Sequence, residues 1–258
     1  MPFPCKGENH QGGIQNEHQI VAYLNHHREC SIVQQLAKEC GCNVISFTHA
    51  GGTQQKRDAS YLLEDGRIKG LSIKNHKTGT FDLINTTKGV PEDLKSEILD
   101  FKEKNFQKEI PKTGGIRSDL DNVFSGWLDR LTSDQVLELV SKTTEGEAGT
   151  DMIIINDVAN KQYVMFDESY VRPHHEPSDT FVLKSTPRAR TSRQIWIRSI
   201  DGQERNTNLR IRLTLNNGLG ALLGQSTSNK TSVPCLKVQL DGEESLIANC
   251  PDKVTVSY

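Results

Sequence analysis

No apolar run in this sequence approaches the roughly 18 residues that a membrane-spanning helix needs. The opening MPFPCKGENHQGG also lacks the apolar core of a secretory signal. The chain is therefore expected inside the cell, in the cytoplasm and away from membranes. Cysteine is sparse, at six in 258 residues, which excludes a disulfide-built scaffold and points to reduced thiols. His26, His27, Cys30, Cys40 and Cys42 lack the paired spacing of common zinc knuckles. The glycine-bearing stretch Asn217–Gly224 lacks the Lys-Ser/Thr ending of a phosphate loop, so nucleotide hydrolysis is not expected. Repeats and low-complexity tracts are absent too.

Net charge is small, −2, but unevenly spread. Residues 181–238 hold ten Lys/Arg against only Asp201 and Glu204, a local balance of +8 that leaves −10 for the remainder. A basic region on an acidic body suits a polyanion-binding surface. Arginine outnumbers lysine there by seven to three, and its planar fork matches phosphates and guanine edges. Lys184, Arg188, Arg190, Arg193, Arg198, Arg205 and Lys230 are the candidate DNA contacts of this stretch. A solvated basic face without a partner would have the same composition.

Hydrophobic periodicity divides the chain. Ile14, Ile20/Val21 and Leu24 recur at helical spacing, with Glu17 inside the apolar stripe, where an unpaired carboxylate is costly. Glu17 is thus either a rim residue or one that faces a cation. Ser31–Cys40 reads as a helix ended by Gly41, and Asn43–Thr48 as a strand. Helices are expected over 91–107, after Ser118 or Asp119, and after Thr132 or Ser133. Beyond the hinge-like EGEAGT at 145–150 the pattern turns to strands. They are expected at 152–155, 163–166, 180–184, 194–200, 209–215, 233–240 and 254–257. In the strand at 194–200, parity puts Gln194, Trp196 and Arg198 on one face and Ile195 and Ile197 on the other. Tyr163, Tyr170 and Trp196 read as core before stacking platforms, and His174-His175-Glu176 as a polar turn.

The stretch 54–74 carries the chemistry. Ala59–Leu63 and Ile68–Lys74 read as a β-hairpin, and Glu64-Asp65-Gly66 suits a three-residue loop with glycine in the left-handed position. That loop pairs Leu63 with Arg67 and, counting back, Asp58 with Ser72. Opposed residues share a face, and Lys74 lies two residues along on it, so a carboxylate and an ammonium converge. A two-residue turn at Asp65-Gly66 would instead pair Asp58 with Ile73. A surface hairpin with an ordinary Asp–Lys ion pair accounts for the same residues.

Asp58 followed by Ser72-Ile73-Lys74 resembles the PD-(D/E)xK nuclease core, with Arg57 at the proline position and Ser72 at the acidic one. With Glu17 on an opening helix and a basic, β-rich second half, the layout is similar to small type II restriction endonucleases that cut four-base-pair sites. The resemblance implies an α/β fold with a mixed central sheet flanked by helices. It implies a single nuclease domain over 1–258, with a catalytic part at 1–150 and a DNA-recognition part at 151–258. It also implies Mg²⁺-dependent hydrolysis of double-stranded DNA. Asp58 and Glu17 would then be metal carboxylates and the Ile73 carbonyl a further ligand. Ser72 would hold a metal-bound water, Lys74 would sit by the attacking water, and Lys77 would touch substrate from the polar loop after it. A palindromic target would favour a homodimer. A structure-specific repair nuclease of the same fold and a non-catalytic nucleic-acid-binding protein stay open as alternatives.

Overall fold

The computed structural model describes residues 9–50, 57–76, 80–85, 92–105, 115–144, 150–186, 189–213, 235–239, 246–250 and 252–258. The chain forms two compact units, each discontinuous in sequence. The first takes Met1–Phe81, Gly146–Val171 and Leu240–Tyr258, and the second Asp82–Glu145 and Arg172–Gln239. These are not the sequential parts 1–150 and 151–258. The strands at 150–157, 162–167 and 254–257 complete the hairpin's sheet, and the helices between residues 92 and 144 belong with the basic sheet.

The first unit is built on a mixed six-stranded sheet. Its strands are β1 (Val44–His49), β2 (Ala59–Leu63), β3 (Ile68–His76), β5 (Thr150–Asp157), β6 (Gln162–Asp167) and β11 (Val254–Ser257), in the order β1-β2-β3-β5-β6-β11. β3 and β5 pair in parallel, and the other neighbours in this sheet are antiparallel. β5 carries the run Ile153-Ile154-Ile155, at most 1 % exposed, as expected of a central strand covered on both faces. α1 (Asn9–His26) and α2 (Ser31–Cys40) bury Ile20, Val21, Leu24, Ile32, Val33 and Leu36. These side chains join one core with Phe47, Tyr61, Leu71, Ile73 and Ile154. Gly41 ends α2 in the left-handed region, φ 70°. Its N–H donates to Lys38 O, and that of Cys42 to Ala37 O, both at 3.2 Å, which satisfies carbonyls left open by the helix end.

The second unit holds a five-stranded sheet. Its strands are β4 (Thr80–Asn85), β7 (Thr180–Thr186), β8 (Ala189–Arg198), β9 (Glu204–Arg212) and β10 (Cys235–Gln239), in the order β4-β10-β9-β8-β7. Helices α3 (Glu92–Asn105), α4 (Gly115–Arg130) and α5 (Ser133–Thr144) accompany it, with α4 against β8 and α5 against β7. Phe181, Ile195, Ile197, Leu209 and Ile211 are buried, as are Phe124, Trp127 and Val136 on the helices. Trp127 satisfies its ring N–H on Asp93 Oδ2 at 2.8 Å. A short helix, α6 (Leu246–Asn249), precedes β11.

The architecture is therefore mixed α/β: one mixed sheet, one antiparallel sheet, and helices. Several local expectations change, among them the strand expected at 194–200, which runs Ala189–Arg198, and the helix expected after Ser118 or Asp119, which begins at Gly115. The polar run after Lys74 is largely strand, because β3 continues to His76 and β4 opens at Thr80. β9 begins at Glu204 instead of Leu209, because the turn after β8 is tight: Ser199 N–H donates to Gln203 O at 2.9 Å and Gly202 takes φ 85°. Among the described residues no helix is long and apolar enough to cross a membrane.

Candidate active site

The site begins with a turn. Gly66 adopts φ 85°, and Leu63 N–H donates to Arg67 O at 2.9 Å. Asp65 closes the loop by accepting from Arg67 N–H at 3.0 Å. The three-residue loop therefore forms, and Ala59 pairs with Leu71 and Tyr61 with Lys69. One step beyond Ala59–Leu71 this register sets Asp58 against Ser72, as the hairpin argument expects.

At that step the ladder changes character. Asp58 N–H donates to Leu71 O at 2.8 Å, and its side chain takes over the next backbone donor. Asp58 Oδ2 accepts from Ile73 N–H at 2.7 Å, Ser72 Oγ at 3.2 Å and Lys74 Nζ at 3.4 Å. Ser72 is buried, and the Asp58 and Lys74 side chains are about four-fifths buried, at 20 % and 17 % exposure. A carboxylate oxygen holding a backbone amide, a hydroxyl and an ammonium is fixed in place, unlike the mobile tip of a surface ion pair. Ile73 enters this arrangement through its amide, while its side chain lies in the core.

Glu17 comes from α1. The turn that carries it is anchored by its neighbour Asn16, whose Oδ1 accepts from Asn156 Nδ2 at 2.5 Å. Asn156 lies on β5 one residue beyond Ile155, the partner of Lys74, and also accepts from the Tyr258 hydroxyl at 2.7 Å. Glu17 Oε2 lies 2.6 Å from His49 Nε2 at the end of β1, and the His18 ring packs on His49 with centroids 4.2 Å apart. Burial pushes the Glu17 carboxyl above its ordinary value. The His49 hydrogen bond pulls it down, the Asp58 charge pushes it further up, and the His49 and Lys74 charges oppose the rise. Glu17 thus sits within the field of both Asp58 and Lys74, but its direct partner is His49. Sequence reasoning missed His49, which declares itself only once β1 pairs His49 with Ala59 beside Asp58.

The donor set suits a hard divalent cation. Glu17 is a partly buried carboxylate whose ionisation Asp58 opposes, a condition that such an ion relieves. Among the described residues no three His, Cys, Asp or Glu side chains gather into a metal-binding group. Mg²⁺ needs no such cage, since it keeps several waters and takes one or two carboxylates. Cys40 and Cys42 are engaged elsewhere, Cys40 Sγ at 3.6 Å from the Tyr61 hydroxyl and Cys42 Sγ at 3.5 Å from Asp65 Oδ2.

The basic candidates divide sharply. Arg193 is a correction: it is buried and spends its guanidinium inside the second unit. Its Nε donates to Asp129 Oδ1 at 2.9 Å, its Nη2 to Ser125 Oγ at 2.7 Å, and its Nη1 to the carbonyls of Arg190 and Ser192. Strand parity is the reason, since Arg193 shares the inward face with Ile195 and Ile197, so its guanidinium is turned away from solvent. Arg205 pairs across the strands with Ile197, on that same face, at its exposed margin 4.0 Å from Asp179. Arg198 and Lys184 occupy the other face and meet on Glu204, and Lys184 Nζ lies 3.8 Å from the centroid of the Trp196 ring. Trp196 is half-buried on that face and Arg190 is exposed. Lys77, Arg188 and Lys230 lie outside the described residues.

No protein-family model matches the chain, and no curated protein matches it either. The functional reading therefore rests on the geometry of the chain itself.

Proposed function

We propose that this protein is a Mg²⁺-dependent endonuclease of restriction-endonuclease-like architecture that hydrolyses double-stranded DNA at specific sites. One observation carries the reading: at the open end of the β2–β3 hairpin, Asp58 Oδ2 gathers Ser72, the Ile73 amide and Lys74. Phosphodiester hydrolysis needs a fixed negative group for a metal, a cation near the attacking water, and exclusion of competing positions. Asp58 and Glu17 would hold Mg²⁺, with the Ile73 carbonyl as a further donor. When bound, the ion stabilises charge on the attacking and leaving oxygens. Lys74 orients the water beside the scissile phosphate and stabilises the developing negative charge. Ser72 holds Asp58 in its rotamer and is placed to bond a water at the same centre. His49 keeps Glu17 oriented. Lys184, Arg190 and Arg198 on the basic sheet supply phosphate and base contacts, and a palindromic target would engage two copies.

The test is a digest. Incubation of the pure protein with phage DNA and Mg²⁺, followed by sequencing of fragment ends, should give a fixed short sequence at every end. Ends without a shared sequence would instead indicate a structure-specific nuclease. A second reading has its own support: Asp58 already has a cation and two neutral donors, and Ser72 adds no charge. That saturation would also suit a non-catalytic DNA-binding protein, which would bind duplexes with strong salt dependence and leave them intact with Mg²⁺.

A further inference from the structure

Glu204 stands out because it is one of only two acidic residues in the basic stretch 181–238, yet two cations of the sheet, Lys184 and Arg198, converge on it. It faces Arg198 directly across β8 and β9. Arg198 Nε donates to Glu204 Oε1 at 2.8 Å, and Nη2 lies at the same distance from the same oxygen. Lys184 donates to the other oxygen, Oε2, from β7. Three strands thus meet in one ion cluster, with Lys184 lying over Trp196, and Trp196 in turn donating to Gln194 Oε1 at 3.3 Å. Its two cations hold the Glu204 carboxyl below its usual range, so it stays ionised at neutral pH.

The arrangement has a geometric consequence. Arg198 is gripped along its Nε–Nη2 edge, so in a planar guanidinium the Nη1–Nη2 edge lies on another side of the group. That second edge is the fork which matches O6 and N7 of guanine. Arg198 remains half-exposed, at 51 %. A carboxylate on a DNA-facing surface would only repel phosphate if it had no other task. Here it removes rotamer freedom from a long side chain before any ligand arrives, which sharpens recognition.

We infer that Glu204 is a positioning residue for base recognition, holding the Arg198 guanidinium, with Lys184 beside it, for contact with a guanine edge of duplex DNA. The inference rests on the reading that this sheet engages DNA, and it assigns the cost of one negative charge to selectivity. Glu204 therefore opposes affinity for DNA in general and supports choice among sequences.

The experiment uses the full chain, Ca²⁺ in place of Mg²⁺, and a pool of 20-bp duplexes with a randomised centre, sequenced before and after capture. Wild type should enrich a defined sequence. Glu204→Ala should bind the unselected pool more tightly, with a salt slope steeper by about one. It should also lose discrimination by about tenfold or more at one position, the same position that Arg198→Ala loses. Glu204→Gln, which keeps an acceptor for Arg198, should steepen the salt slope while retaining most of the selection. Enrichment of the wild-type sequence by Glu204→Ala with undiminished contrast overturns the inference and leaves DNA binding standing. Loss at a position different from that of Arg198→Ala overturns it as well. So does an equal fall in affinity for selected and unselected duplexes, which would make Glu204 a brace of the fold. If Glu204→Ala does not fold, an unchanged salt slope and unchanged selection in Glu204→Gln overturn the inference in its place. Absence of duplex binding by the wild type ends both the inference and the DNA reading.

Discussion

Asp58 and Glu204 are both carboxylates that collect donors, and the contrast between them explains how the two units differ. Asp58 draws on one hairpin: its partners are the amide, hydroxyl and ammonium of consecutive residues Ser72, Ile73 and Lys74. Glu204 draws two charged tips from separate strands on an exposed face. The first arrangement is set by backbone register and is largely dry, so a change of register destroys it. The second is a set of long side chains in contact with water, each ion pair weak by itself, with the second edge of the Arg198 guanidinium left open to a ligand. On the proposed nuclease reading, a site that must place one water relative to one phosphate needs the first kind. On the same reading, a surface that meets many DNA sequences before the right one would be served by the second.

The largest test of that contrast removes the dry cluster. Asp58→Ala and Lys74→Ala should each lower the cleavage rate by about a thousandfold or more, roughly 4 kcal/mol at 1.36 kcal/mol per tenfold. Duplex binding should stay within about tenfold, or 1.4 kcal/mol. Cutting at the wild-type rate by either variant in a timed plasmid digest would move the chemistry elsewhere.

Next in size is Arg193, which separates architecture from recognition inside the second unit. Arg193→Ala strands Ser125 and two backbone carbonyls beside a buried gap, and unfolding should become easier by about 2–4 kcal/mol. Urea titration reads the loss. The salt slope of DNA binding by the variant's folded fraction should equal that of wild type, and a drop of one full unit would restore Arg193 to the interface.

Ser72→Ala is milder. It removes one of three donors to Asp58, so we expect a loss of about 1 kcal/mol in stability and cleavage slowed by roughly tenfold or less. Complete loss of cutting, with the melting temperature unchanged, would make the hydroxyl an obligatory ligand or proton carrier.

The smallest effect is the pH dependence of Glu17. Its carboxyl is raised in the folded state, chiefly by burial, so folding favours the protonated form. The stability this provides is complete below the ordinary carboxylate value near 4.5 and is lost as pH rises through the raised value. Glu17→Gln should therefore melt at a higher temperature than wild type at pH 7, with the difference vanishing toward pH 4. Added Mg²⁺ should stabilise wild type more than the variant. Equal melting temperatures at pH 7 would mean that His49 compensates fully for burial.

Much of this was legible from residues alone, because it depends on short-range geometry. A three-residue loop with Gly66 in the left-handed position predicted the meeting of Asp58, Ser72 and Lys74, and the structure chose it over the two-residue turn. Alternation dictated that Ile195 and Ile197 face inward while Gln194, Trp196 and Arg198 do not. The same parity already placed Arg193 inward, but the charge count of the stretch hid it, since composition has no direction. The tertiary structure alone decided what depends on neighbours distant in sequence. Asn16 meets Asn156, 140 residues away, Glu17 meets His49, and Arg193 meets Asp129 on a helix. No periodicity encodes such pairs, because each arises from packing two elements whose spacing along the chain is arbitrary. The interleaving of the units in sequence has the same origin: β3 takes its parallel partner from beyond three helices that belong with the other sheet. Local stereochemistry determined which side chains share a strand face or a turn. Burial and long-range pairing determined which of those charges remain available for chemistry, since a charge taken out of water must find its partner wherever the fold supplies one.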